Sequence, residues 1–296
     1  MSGASDEEQH MTGPAAAERT DAERIDSPAF ERILEVLGGG VTAVLTGAGV
    51  STDSGIPDSR GEGAPRRTPM TFQHFLGDDD YRRRYWAGSE LGWARFSSVR
   101  PNAGHAALAR LESAGRINGV ITQNVDGLHV RAGSRHVVDL HGSMSRVRCL
   151  TCGQEFSRDD VGDRIRSLNP WIVDPSADEL GPDGDVVPER LADFAVPDCS
   201  NCGGLLKPDI VFFGEFVPAD KFAQASALVD RADALLVAGS SLVVNSGIRL
   251  LERARRRRIP ALIVNRGGTR GDARAEVKLD AGASEVLTAL ADRVGA

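Results

Sequence analysis

Five short apolar runs constrain this chain more than any other feature: Val41–Thr46, Gly119–Thr122, Val137–Leu140, Ala234–Ala238 and Ala261–Val264. Several are β-branched and continuous rather than alternating, the pattern of strands buried on both faces of a parallel sheet. Helical stretches precede three of them: Ala103–Ser113, Phe222–Arg231 and Ser246–Arg258. This rhythm predicts an α/β fold with a doubly wound parallel sheet. Ahead of it, Phe30, Ile33, Leu34 and Leu37 are spaced as one helix face, which Gly38-Gly39-Gly40 should end.

The residues just beyond each run point to a site. The first run leads into Gly47-Ala48-Gly49, the second into Gln123-Asn124-Val125-Asp126 and the third into His141-Gly142. The fourth leads into Gly239-Ser240-Ser241 and the fifth into Asn265-Arg266-Gly267. In an open parallel sheet, ligands bind in the crevice beyond the carboxyl ends of the strands. Five polar clusters there predict one shared site.

Two segments interrupt the rhythm. Residues 61–100 carry Phe72, Phe75, Tyr81, Tyr85, Trp86, Trp93 and Phe96 and read as a helical insertion. Residues 148–207 hold all four cysteines and read as a zinc-binding module with a long loop through Pro175, Pro182 and Pro188. Residues 1–26 have little large apolar content and read as a flexible tail. The sheet domain is then expected to comprise 27–60, 101–147 and 208–296.

The cysteines form two C-x-x-C pairs, Cys149/Cys152 and Cys199/Cys202, each followed directly by glycine. Four thiolates make a closed tetrahedral site, so the expected zinc is structural. The competing reading is redox-active thiols. No secretory signal, transit peptide or membrane-spanning run is evident, so a cytoplasmic protein is expected, where paired C-x-x-C motifs favour metal over disulfide. With 35 basic and 42 acidic residues the net charge is −7, which disfavours a nucleic-acid partner.

The loop Thr46–Ser51 suits a pyrophosphate, because glycines let the backbone approach and peptide N–H groups can bind its oxygens. A glycine-rich turn with no ligand is the alternative. The dehydrogenase fingerprint G-x-G-x-x-G would need glycine where Thr52 stands, which weighs against hydride transfer. His141 could serve as a base or be a buried ring satisfied by a carbonyl. Asn124 and Asp126, two apart, are expected to point the same way. The run Arg253, Arg255–Arg258 reads as a solvated helix end favoured by the dipole, and Arg82–Arg84 as a solvated helix face, with contact to an anionic substrate group as the alternative.

Together these motifs resemble the sirtuin family of NAD-dependent protein-lysine deacylases. The likeness runs from Val41 to the C-terminus. It rests on Gly47-Ala48-Gly49-Val50-Ser51 through Pro57-Asp58, Thr122–Asp126, His141-Gly142, both cysteine pairs, Lys207–Glu215, Gly239–Leu242 and Asn265. The stretches Arg84–Ala87, Gly92-Trp93 and Pro182–Val186 look like its class II branch.

The resemblance implies a Rossmann-like domain, a small zinc domain and a cleft between them. NAD, a consumed co-substrate, would contact Gly47, Ala48, Gly49, Thr52, Asp58, Arg60, Gln123, Asn124, Asp126, Gly239, Ser240, Ser241, Asn265, Arg266, Gly267 and Ala283. An acyl-lysine protein would add as a strand beside Val211, Phe212, Phe213 and Gly214. His141, Asn124 and Asp126 would be catalytic, releasing nicotinamide and acyl-ADP-ribose. ADP-ribosyl transfer to protein is the alternative use of the same site. One position departs from the family: Ser59 stands where an aromatic residue usually shields the reactive ribose. That implies slower turnover on acetyl-lysine or readier reversal by nicotinamide.

Overall fold

A computed structural model describes residues 20, 24–58, 70–172 and 191–296. Most of the expected tail, Ser59, Arg60, the stretch Pro182–Val186 and the Pro175–Pro188 loop lie outside these residues.

The first helix, α1 (Pro28–Gly39), starts where the Ser27 hydroxyl accepts from the Phe30 N–H. It buries Phe30, Ile33 and Leu37, the expected face. It ends at Gly40, whose backbone is extended, and there the Asp233 carboxylate accepts from the Val41 N–H at 2.9 Å. A Cβ on Gly40 would lie 2.7 Å from that carboxylate, so this glycine is set by close approach rather than by a left-handed turn.

Six strands form one parallel sheet: β1 (Thr42–Thr46), β2 (Ile117–Thr122), β3 (Val137–Asp139), β7 (Ala234–Ala238), β8 (Ala261–Val264) and β9 (Val277–Leu279). Their order is β3-β2-β1-β7-β8-β9. Five are the expected apolar runs, with β2 beginning earlier. The sixth, β9, has only Val277 and Leu279 as apolar residues and carries no sequence signal. The order reverses between β1 and β7, which makes a topological switch point there.

The register fixes the site. Thr46 pairs with both Thr122 and Ala238, Thr122 with Asp139, Ala238 with Val264, and Val264 with Leu279. All six strands therefore end at one level, and each polar cluster begins just beyond it.

Helices cover both faces, because successive side chains on a strand point to opposite sides. Val44, Val120, Leu236 and Leu262 pack against α1, α4 (Ala103–Ser113) and α9 (Ala283–Arg293). Ala43, Leu45, Ile121, Leu235, Val237 and Ile263 pack against α7 (Ala219–Asp230) and α8 (Asn245–Arg257). The basic end of α8 is partly tied down, with Arg253 bonded to Asp230 at 2.7 and 2.5 Å. The short α5 (Leu128–Arg131) lies between β2 and β3.

A second, antiparallel sheet has the order β5-β4-β6, from β4 (Gly142–Cys149), β5 (Glu155–Ser157) and β6 (Leu206–Ile210). Gly142 has φ +83°, and a Cβ there would run into the Asp209 carbonyl, so only glycine fits where the chain passes from one sheet to the other. Against this sheet lie α2 (Phe72–Gly77) and α3 (Asp79–Ser98), the helices expected from the aromatic-rich segment, and α6 (Arg158–Leu168). The Arg82 guanidinium donates to the Phe75 and Leu76 carbonyls, closing the end of α2.

The contact between α3 and α6 contains a buried ion pair. Arg158, 1% exposed, donates to Glu90 at 2.9 Å, and Glu90 also receives Arg166. The Arg158 guanidinium stands 5.7 Å from the Trp86 ring and 5.2 Å from the Trp93 ring. Removing one partner of such a pair leaves the other charge uncompensated. Glu90→Ala should therefore cost about 3–5 kcal/mol in urea unfolding. A loss below about 1 kcal/mol, the scale of an exposed pair, would show that water reaches the guanidinium.

Candidate active site and metal centre

At the switch point two loops interlock. Gly47 N–H donates to the Ala238 carbonyl at 3.1 Å, and Gly49 N–H donates to the Gly239 carbonyl at 2.8 Å. A Cβ on Gly47 would lie 2.8 Å from the Gly239 oxygen, and one on Gly49 would lie 2.9 Å from the Gly239 Cα. Gly239 itself has φ +61°. These glycines thus serve the approach of one loop to another, a use beyond the ligand approach that the sequence suggests. The loop continues as two 3₁₀ turns, Ala48–Val50 and Thr52–Ser54, rather than as a helix.

The Asn124 side chain donates to the Gly47 carbonyl and to Ser51 Oγ, both at 3.0 Å. Ser51 Oγ in turn donates to Asp126 Oδ2 at 2.7 Å, and the Leu128 N–H donates to Asp126 Oδ1 at 2.9 Å. Asn124 and Asp126 do point the same way, and they meet on Ser51. That buried hydroxyl belongs to the glycine-rich motif, but no sequence signal marks it as the shared partner.

Gln123 ties three elements together. Its N–H donates to the Thr46 carbonyl at 2.9 Å, and Ser240 Oγ donates to its Oε1 at 2.6 Å. Its carbonyl lies 3.1 Å from His141 Nδ1, and Ser246 Oγ lies 2.9 Å from His141 Nε2. A carbonyl only accepts, so Nδ1 carries the hydrogen and the neutral ring has its lone pair on Nε2. Burial pushes the His141 pKa below the usual histidine value, with the Gln123 carbonyl pulling the other way. The ring is therefore neutral, and able to take a proton, at neutral pH.

The remaining expected residues divide. Thr52 is exposed and donates to the Gly49 carbonyl at 3.2 Å. Asp58 is half-buried, and Ser241 follows Ser240 at the crevice. Asn265 holds its own turn, its amide donating to the Arg266 carbonyl at 2.6 Å, with Gly267 at φ +72°. Arg266 lies 3.5 Å from Glu285. Ala283 is buried in the core at the start of α9.

Val211–Gly214 continues from β6, with the Val211 N–H on the His141 carbonyl at 2.9 Å. Phe212 turns into the core, its ring stacked 5.1 Å from Phe75. Phe213 is 48% exposed, and its carbonyl already accepts from the Phe72 N–H at 2.9 Å. The Phe212 N–H is also engaged, donating to Glu215 Oε2 at 2.9 Å, so the Phe213 side chain rather than that of Phe212 faces outward here.

The four cysteine sulfurs lie within 4.8 Å of one another. Two of the separations are 3.6 Å for Cys149–Cys202 and 3.8 Å for Cys152–Cys199, far longer than a disulfide. Sulfurs about 2.3 Å from a tetrahedral zinc stand about 3.8 Å apart, so this donor set fits that ion. The Thr151 and Cys152 N–H groups point at Cys149 Sγ from 3.4 and 3.5 Å, as a thiolate requires. Zinc here would be structural and would leave none of the four cysteines as a nucleophile.

Beneath the site two histidines are buried side by side, His105 on α4 and His129 on α5. His129 Nε2 lies 2.9 Å from Thr46 Oγ1, His105 Nε2 lies 3.5 Å from Ser51 Oγ, and the ring centroids are 4.8 Å apart. Burial lowers both pKa values, that of His129 to about 3. Neither stands out in the sequence, since a histidine in an amphipathic helix carries no distinctive signal.

Both the cluster and the histidine pair can be tested. Cys149→Ser should lose zinc and soluble yield together, because the metal contributes folding free energy; a soluble variant with full secondary structure and no zinc by elemental analysis would contradict this. For the histidines the variable is acid. Between about 3 and 6.5 the unfolded chain protonates His129 and the folded chain does not, so stability falls as pH drops below 6.5. His129→Gln should flatten the fall in Tm between about pH 6.5 and 5; an unchanged slope would show that His129 is not held neutral.

Residues 47–246 match the model of the Sir2 family. The "NAD-dependent protein deacetylase 1" of Mycobacterium avium strain 104 is 52% identical over 275 residues, 92% of this chain and 96% of that protein. The "NAD-dependent protein lipoamidase sirtuin-4, mitochondrial" of Bos taurus is 47% identical, covering 82% of this chain and 79% of its own. The solved structure of Sir2 with a p53 peptide and NAD+ superposes with a TM-score of 0.73 at 33% identity, covering 90% of this chain and 98% of that one. With its interlocked switch-point loops, second sheet and four-sulfur cluster, this chain belongs to the Sir2 family.

Proposed function

We infer that the protein is an NAD-dependent protein-lysine deacylase, releasing nicotinamide and passing the acyl group from lysine to ADP-ribose. One observation carries this reading. His141, with Nε2 as its accepting nitrogen, stands at the same crevice as the Asn124–Ser51–Asp126 network, in a chain similar to proteins named for this activity.

NAD would supply a ribose carbon with nicotinamide as leaving group, which the acyl oxygen attacks. The chain's part is to hold two substrates in reacting order and to move one proton. Asp126 is oriented by Ser51 and the Leu128 N–H, so its carboxylate is fixed before substrate arrives. Such fixed charge can stabilise positive charge developing on a ribose. Asn124, anchored by the Gly47 carbonyl, would orient the nicotinamide end. His141 would take a proton from a ribose hydroxyl at Nε2, and that oxygen would then attack the acyl carbon; addition of water and cleavage of the carbon–nitrogen bond would release the lysine amine and leave the acyl group on ADP-ribose.

The acyl-lysine segment would lie along Val211–Gly214, using exposed Phe213 and backbone. The residues 27–60, 101–147 and 208–296 would form the NAD-binding domain, with 148–207 as the zinc module. Four cysteines without a disulfide suit a reducing compartment, and a cytoplasmic setting is proposed on that ground. No helix among the described residues is long and apolar enough to cross a membrane.

His141→Ala should fold, hold zinc and lose about 10²–10⁴-fold in deacylation of an acyl-lysine peptide. The wild-type rate should fall on the acid side with a midpoint below the ordinary histidine value of 6.5, since burial lowers this pKa. Substantial activity in His141→Ala, or a midpoint above 6.5, would remove His141 as the base.

A further inference from the structure

The Ser246 hydroxyl lies 2.9 Å from His141 Nε2, the nitrogen on which the proposed reaction turns. Ser246 is the second residue of α8 and is buried. Its place is fixed by packing. A Cβ on the next residue, Gly247, would lie 2.9 Å from Leu242 Cδ2 and 3.2 Å from the Gln123 amide, so the start of α8 sits hard against the Gln123 segment. Gln123 is pinned to Ser240 at 2.6 Å and holds the other ring nitrogen of His141 through its carbonyl. Serine, ring and carbonyl thus form one line across three elements: the start of α8, the β3–β4 junction and the end of β2.

A hydroxyl both donates and accepts. With the ring neutral, Nε2 has only a lone pair, and Ser246 donates to it. Nε2 has a single lone pair, so when a ribose hydroxyl delivers its proton there the Ser246 O–H must rotate its own hydrogen away; its oxygen then accepts from the new N–H without any heavy atom of the protein moving. A hydrogen bond to the charged ring is roughly twice as strong as one to the neutral ring. The net effect of Ser246 is therefore to favour the imidazolium and to keep the ring aimed in both states.

We propose that Ser246 is a positioning residue for His141, holding its Nε2 in the reacting direction and stabilising the ring after it accepts the proton. This rests on His141 being the base. Other ionisable groups on the surrounding elements are engaged elsewhere. Asp126 beyond β2 is held by Ser51 and Leu128. Asp139 on β3 and Asp209 on β6 both bond Arg146 on β4, at 3.5 and 2.9 Å. Arg249 on α8 lies over the Phe222 ring, and Lys221 on α7 acts on Asp139. Among the described residues, the ring's hydrogen bonds are those to Gln123 and Ser246.

The test is an NMR titration of the full chain carrying ¹⁵N-histidine, with the His141 signals assigned by their loss in His141→Ala. The wild-type ring should show the Nδ1–H form. In Ser246→Ala the ring should titrate about half to one pH unit lower. Deacylation kcat should fall roughly threefold to tenfold, with the peptide KM unchanged. Ser246→Thr, which keeps the hydroxyl, should restore both. An unmoved titration in Ser246→Ala would overturn the proposal. So would a Ser246→Thr variant as impaired as Ser246→Ala at equal thermal stability. The titration needs neither NAD nor turnover. A lowered titration in a wild-type-fold protein that fails to deacylate would therefore support the contact and count against the reading of function.

Discussion

Backbone contact between the loops after β1 and β7 is the constraint on which the rest depends. Gly49 donates to Gly239 at 2.8 Å with no Cβ between them, and Gly239 turns left-handed to allow it. This closes the floor of the crevice at the switch point. From there Asn124 reaches the Gly47 carbonyl, Ser51 reaches Asp126, and Ser240 reaches Gln123. A Cβ at Gly47, Gly49 or Gly239 would lie within 2.9 Å of the facing loop, so a side chain at any of the three would push the loops apart. The common level of the six strand ends supplies the other half of the geometry, since it brings residues from 47 to 267 to one edge.

The two sheets meet at His141-Gly142. Gly142 can pass from one sheet to the other only because it lacks a Cβ, and the residue before it is His141, whose ring spans from the Gln123 carbonyl to the Ser246 hydroxyl. Burial lowers the pKa of His141, as it does for His105 and His129 beneath it. In each case desolvation of a charged ring is the leading cause. For His141 that keeps the ring neutral and ready to accept a proton; for the deeper pair it makes the fold sensitive to acid.

Much of this is legible in the sequence because buried parallel strands need continuous apolar runs, and here their short length, β-branched residues and polar flanks separate them from buried helix segments. The five expected strands, the α4 segment and the cysteine cluster all come from local patterns. The features that stay hidden depend on tertiary contact. Strand β9 has two alternating apolar residues and is held by its pairing to β8. Ser51 and Ser246 look like any serine until Asp126 and His141 are brought beside them. The Arg158–Glu90 pair joins residues 68 apart in the chain, and nothing local marks either one as buried. The glycines of the first loop are plain in the sequence, but their partner, another loop, is not.

The most direct test of the central claim is a mass balance on NAD with a panel of acyl-lysine peptides, followed by mass spectrometry. One nicotinamide should be released per lysine uncovered, with the acyl group found on ADP-ribose and no release without peptide. Nicotinamide released without peptide, ADP-ribose attached to protein, or reduced nicotinamide in place of free nicotinamide would contradict it.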